Sequence, residues 1–253
     1  MKPALSRYLM AQAPQRWQDF KQGPQLAGQL EHQFNLWWPR IFGYHLLKVG
    51  ALSCELDTSA CAIRHQIKLD SASQNVSVRA DPDDLPFIEH AVDAVLLAHC
   101  LEFTQDPHHV IREAHRVLIP DGYLLLSGFN PYSLVGLLKL WPGLQSRLPW
   151  SGRFFSQSRV RDWLQLLGFE VLYEQRLFCS SLLSEATSNS AVRTWADQYL
   201  SFFGSAYVMV ARKRTLPLTP IKPKWQLTGS FNPAVKGVSV RVTDVRGLNS
   251  RLE

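Results

Sequence analysis

The apolar positions of this chain change period in a regular order. His45-Leu46-Leu47-Lys48-Val49 is a short, nearly continuous apolar run closed by Gly50, as a buried strand would be. Residues 63–69 and 76–79 are shorter strand candidates, and Asp93-Ala94-Val95-Leu96-Leu97-Ala98 has the composition of a central strand. After Pro107, which suits the first turn of a helix, Val110, Ile111, Ala114, Val117 and Leu118 recur on one helical face. Asp121-Gly122 predicts a turn into the apolar run 123–127. Ser156 then caps a helix bearing Val160, Trp163, Leu164 and Leu167, ended by Gly168. Strands over 169–178 and 205–211 flank a helix over 183–200. Strand and helix in alternation predict an α/β fold, a Rossmann-like parallel sheet with helices on both faces.

Residues 1–40, rich in aromatic and polar side chains, form an N-terminal helical extension with breaks near Gly23-Pro24 and at Pro39. The α/β domain spans 41–213. Residues 214–253 hold four prolines between 217 and 233 and no sustained period, which predicts a disordered tail. Charge sharpens that division. Residues 1–211 carry 18 Lys/Arg and 19 Asp/Glu, a net −1, whereas 212–253 carry 9 and 2, a net +7. The basic character belongs to the tail and makes RNA a partner to consider through that segment alone. No apolar run is long enough to span a bilayer and no signal-peptide core follows Met1, so the expected location is the cytoplasm. Cys54, Cys61, Cys100 and Cys179 are widely spaced without a CxxC pair, and read as buried apolar residues instead of a metal or disulfide framework.

One stretch adds chemistry. Ala80-Asp81-Pro82-Asp83-Asp84-Leu85-Pro86-Phe87 precedes the strand Val92–Ala98; Asp106-Pro107, Arg112-Glu113-Ala114, Arg116-Val117-Leu118 and Asp121-Gly122-Tyr123-Leu124 follow it. This order and spacing resemble the class I S-adenosylmethionine (SAM)-dependent methyltransferases, over roughly residues 41–213. Phe42-Gly43-Tyr44-His45-Leu46-Leu47, Leu97-Ala98-His99-Cys100-Leu101-Glu102 and Gly128-Phe129-Asn130-Pro131 resemble more narrowly the YafS-like bacterial branch. The resemblance implies SAM as cofactor and a small or medium organic molecule as methyl acceptor. It places Gly50 beside the methionine part, Asp81 at the adenine amine, and Ala98 and His99 beside the sulfonium. Asp70 is the nearest carboxylate for the ribose hydroxyls. His99 is the candidate general base, with a structural histidine as the alternative. Phe129, Asn130 and Tyr132 are expected at the acceptor side, against a plain turn and helix cap. Glu102 is expected to be a solvated carboxylate at a helix start, with contact to the substrate as the alternative.

Three departures from the family stand out. Gly50 is followed by Ala51-Leu52-Ser53-Cys54-Glu55, where close approach of backbone to ligand calls for further glycines. Between Gly50 and Asp81 two full βα crossovers barely fit, which predicts a hairpin of 63–69 with 76–79. Pro82 lacks the backbone N–H that an adenine ring would meet. These departures motivate a second reading, a non-catalytic methyltransferase-like binding or scaffold protein in which Leu52 or Cys54 fills the methionine space. The third reading is an RNA-associated methyltransferase anchored by the tail. The oligomeric state is not legible.

Overall fold

A computed structural model describes residues 13–19, 23–73, 76–133, 148, 151–177 and 205–215. The chain divides into two units, Met1–Leu216 and Pro217–Glu253; all described residues belong to the first. The expected helix over 183–200 and the tail beyond Thr215 lie outside the described residues.

Seven strands form one sheet: β1 (His45–Val49), β2 (His65–Asp70), β3 (Val78–Arg79), β4 (Val92–Ala98), β5 (Leu118–Phe129), β6 (Phe169–Leu177) and β7 (Ala206–Lys213). Their order is β3-β2-β1-β4-β5-β7-β6. The pairs β3·β2, β2·β1, β1·β4 and β4·β5 are parallel, and β7 runs antiparallel to both its neighbours. Strand order reverses between β1 and β4, and ligands of open α/β sheets bind outside the strand carboxyl ends at such a point. Four helices are described: α1 (Gly23–Asn35), α2 (Ala51–Glu55), α3 (Pro107–Val117) and α4 (Gln157–Leu166).

Apolar side chains of alternate parity fill two cores. Leu46, Ala94, Leu96, Leu125 and Phe129 face α1, Trp38 and Ile41. Leu47, Val95, Leu97, Leu124 and Leu126 face Val110, Ile111 and Ala114 of α3 with Val160 and Leu164 of α4. Asp106 caps α3 by accepting from the backbone N–H of His108 (3.0 Å) and His109 (3.1 Å), with Pro107 at the first helical position. Gly168 ends α4 with φ +85°, a conformation that favours glycine.

Two local expectations are overturned. The segment between β2 and β3 is not a hairpin: Leu69 pairs with Val78 and Asp70 with Arg79 in parallel. β3 is cut to two residues, and these pair with the last two of β2, so the connection starts and ends at the same end of the sheet. The dozen residues of a crossover apply to full-length strands. Asp121-Gly122 is also not a terminal turn but an irregularity inside the long β5, with Asp121 at φ +63° and the β4 register shifting between Val92 and Ala94.

An arginine clamp fixes the loop that leads from β3 to β4. Arg116 donates to the carbonyls of Phe87 (2.7 Å) and Leu85 (2.9 Å) and forms a two-point pair with Glu113, whose carboxylate also accepts from Leu85 N–H (3.2 Å). The Arg116 hydrogen bonds, ahead of the opposing burial, hold the Glu113 carboxyl below its ordinary value. A folded-state value below the unfolded one gives stability that is present above the unfolded pKa and lost as pH falls through the folded one. Arg116→Ala is therefore expected to cost about 2 kcal/mol in urea denaturation at neutral pH. Glu113→Gln should flatten the stability profile below about pH 4.5; an unchanged profile would remove the pair from that role.

Candidate functional site

β1 ends at Val49, and Gly50 turns the chain with φ +89° and ψ 151° into α2. The short helix that follows brings Ala51 and Leu52 to the strand ends. Across the reversal, β4 ends at Ala98 and passes into His99 at φ +48°, a left-handed backbone held by His99 N–H on the Ser127 carbonyl (3.1 Å). On the other side, β2 ends at Asp70. These three termini surround a cavity of about 50 Å³ walled by Gly50, Leu52, Asp70, Ala98, His99 and Cys100.

Each candidate can now be placed. Gly50, Asp70, Ala98 and His99 come together around this one space. Asp70 is buried; its Oδ2 accepts from the N–H of Ala72 (3.1 Å) and Ser73 (2.7 Å), and Oδ1 has no hydrogen bond among the described residues. Asp81 does not line the cavity; its neighbour Pro82 does. Phe129 is fully buried, with its ring 4.1 Å from the His99 ring and 5.2 Å from Phe154. The Asn130 side-chain oxygen accepts from Tyr132 N–H (3.1 Å), while the Tyr132 side chain is exposed. None of these three lines the cavity.

The residues after Gly50 take different positions around the space. Leu52 forms wall, and its carbonyl accepts from the Trp17 indole N–H (3.1 Å). Ser53 is buried and its hydroxyl accepts from the Ala98 N–H (2.7 Å), pinning α2 to the end of β4. Cys54 lies off this cavity, with its thiol against the Lys48 and Leu69 carbonyls. Burial, with Asp70 second, pushes the Cys54 thiol up to about 11; burial also raises Cys100. Since the thiolate is the nucleophile, iodoacetamide at pH 8 is expected to leave both unlabelled until denaturant is added, read by peptide mass spectrometry. Rapid native labelling would contradict the packing. Among the described residues no group of three or more His, Cys, Asp or Glu is placed to hold a metal.

Two contributions were not legible in the sequence. Ala13, Pro14 and Gln15 close one side of the cavity, so the N-terminal extension is part of the site. Its anchor is Trp17, buried against the His99 ring at 5.7 Å and tied by its backbone N–H to Glu55 (2.8 Å). Glu102 is not solvated. The three-residue turn Leu101–Phe103 folds back so that the carboxylate, 1% exposed, accepts from Phe129 N–H (2.8 Å) and stands 3.1 Å from His99 Nδ1.

Residues 43–126 match the methyltransferase domain family. The uncharacterized protein YafS of Escherichia coli (strain K12) is 42% identical over 219 residues, covering 87% of this chain and 88% of that one. The chain belongs to the class I SAM-dependent methyltransferases, in the YafS branch. The bifunctional biotin-biosynthesis protein BioHC of Saccharophagus degradans is 35% identical over 99 residues, 37% of this chain and 18% of that protein. Among solved structures, a SAM-dependent methyltransferase of Thermotoga maritima shares the fold with TM-score 0.51 at 16% identity, over 75% of this chain and 92% of that one. The [4+2]-cyclase SpnF shares it with TM-score 0.52 at 19% identity, over 77% and 82%. The seven-stranded sheet of this methyltransferase is thus the family fold. No helix among the described residues is long and apolar enough to cross a membrane.

Proposed function

We propose that this methyltransferase acts in the cytoplasm on a small or medium organic acceptor, with SAM held in the cavity between Gly50, Asp70 and His99. The observation that carries the reading is the convergence of Gly50, Asp70, Ala98 and His99 on one cavity at the strand-order reversal. The residues present fit the group. Gly50 supplies the turn without a side chain, Asp70 offers a held carboxylate with Oδ1 available to the ribose hydroxyls, and Ala98 leaves room beside His99. SAM, when bound, supplies a methyl group on a positively charged sulfur. The chain's own part is to orient the reactants and exclude water, with Ala13–Gln15 and Trp17 covering one side.

Such chemistry needs few catalytic side chains, because alignment of the acceptor lone pair with the activated carbon supplies much of the rate. Isothermal calorimetry with SAM tests the reading. Saturable binding with thermal stabilisation is expected, and neither at millimolar SAM would return the cavity to the scaffold reading. The SpnF fold is a reminder that this architecture also hosts a cyclase, so binding must be followed by detection of methylated product. The basic tail remains a candidate RNA anchor on its charge alone.

A further inference from the structure

His99 and Glu102 are both buried at the edge of the cavity, with side chains 0% and 1% exposed. Glu102 uses Oε1 twice, for Phe129 N–H and for His99 Nδ1, while its Oε2 has no hydrogen-bond partner among the described residues. His99 Nε2 is likewise buried and without a partner among the described residues. Two orphaned polar atoms on one interacting pair are costly, and in native structures such groups call for an explanation.

The two orphans explain each other through a proton. A carboxylate can only accept, so ionised Glu102 requires that Nδ1 carry the imidazole hydrogen. Nε2 is then left as a bare acceptor. Glu102, Phe129 and Trp17 occupy the other surroundings of the ring. His99 lines the cavity, so a bound molecule that brought an O–H or N–H within reach of Nε2 would supply the missing donor. Protonation at Nε2 would place an imidazolium beside the buried carboxylate, whose charge is otherwise uncompensated.

We infer that His99 is the general base of this enzyme, that Glu102 is its positioning residue, and that the methyl acceptor is therefore a protic oxygen or nitrogen. The inference rests on the cavity being the SAM site. In the step it describes, the acceptor O–H or N–H gives its proton to Nε2 and the heteroatom lone pair forms the bond to the methyl carbon. The carbon–sulfur electron pair remains on sulfur, leaving S-adenosylhomocysteine and a methylated acceptor.

Sinefungin, a SAM analogue with an amine where SAM carries its methylated sulfur, puts N–H donors at the reacting position. Calorimetry compares it with S-adenosylhomocysteine, which has none. Wild-type protein is expected to prefer sinefungin by about tenfold or more, as a charge-assisted hydrogen bond would give. His99→Asn, a residue that tolerates the left-handed backbone, should reduce the preference to about twofold or less. Glu102→Gln keeps an acceptor for Phe129 N–H and should leave S-adenosylhomocysteine affinity within about twofold while lowering the preference at least threefold. Long-range ¹H–¹⁵N spectra of His99 at pH 8 are expected to show the proton on Nδ1 in the wild type and redistributed in Glu102→Gln, a change that a purely structural carboxylate would not cause. Equal affinities for the two ligands in the wild type, a preference unchanged in either variant, or a wild-type proton on Nε2 overturns the inference and leaves the cofactor reading intact. Failure of both ligands to bind overturns the cofactor reading and the inference with it.

Discussion

Asp70→Ala is expected to lower SAM affinity by about thirtyfold or more, a loss of about 2 kcal/mol. The carboxylate sits at the end of β2, and two backbone N–H groups on Oδ2 fix its orientation before any ligand arrives. That preorganisation leaves Oδ1 aimed by the turn, and no rotamer need be frozen on binding. Alanine removes both the ligand contact and the anchor of residues 71–73. Asp70→Asn separates the two effects, because an amide oxygen can keep the turn while the charge is lost; an intermediate affinity is expected. Asp81→Ala is the control. Asp81 does not line the cavity, so its removal should change affinity by less than about threefold. Calorimetry on the three variants decides the matter. A large loss with Asp81→Ala and none with Asp70→Ala would move the cofactor contacts from β2 to the loop before β4.

The contrast between Asp70 and Asp81 marks what the sequence makes legible. The long, strongly periodic segments around Val95, Val110 and Val160 are legible because hydrophobic burial on two faces dictates their composition. The same periodicity locates the strand ends, and hence Gly50, Ala98 and His99. It is silent where the chain is short and irregular. Between Gly50 and Asp81 the pairing direction of β3 depends on only two residues, too few for a pattern, and a parallel return without a crossover became possible only because the strand is so short. The burial of Glu102 was also hidden. A carboxylate after a strand usually meets water, and nothing local records that Phe129 N–H, 27 residues on, lies within 2.8 Å. The role of Ala13–Gln15 is hidden for the same reason: small residues in an aperiodic segment carry no signal until tertiary structure brings them to the strand ends.

Gly128→Ala is expected to be strongly damaging for the addition of a single methyl group. Gly128 lies in β5, paired with Tyr207 of β7, at the end of the sheet nearest the site. A Cβ there would stand 2.5 Å from the Tyr207 hydroxyl oxygen, 2.7 Å from its ring carbon Cζ and 3.1 Å from Glu102 Oε1. Both neighbours are buried at 1% exposure, so neither can swing into water. Overpacking of a close-packed interior costs about 1–3 kcal/mol, and this contact belongs at the upper end because two side chains must move together. At about 3 kcal/mol the midpoint of thermal unfolding falls by roughly 6–12 °C for a domain of this size. Tyr207→Phe in the same chain removes the nearest atom and should recover part of the loss, which a double-mutant cycle measures as a coupling of about 1 kcal/mol or more. The displaced Glu102 would also loosen its hold on His99 Nδ1, so the sinefungin preference should fall together with stability. If Gly128→Ala unfolds within half a degree of the wild type, Tyr207 and Glu102 are not packed as described, and the positioning role of Glu102 loses its structural basis.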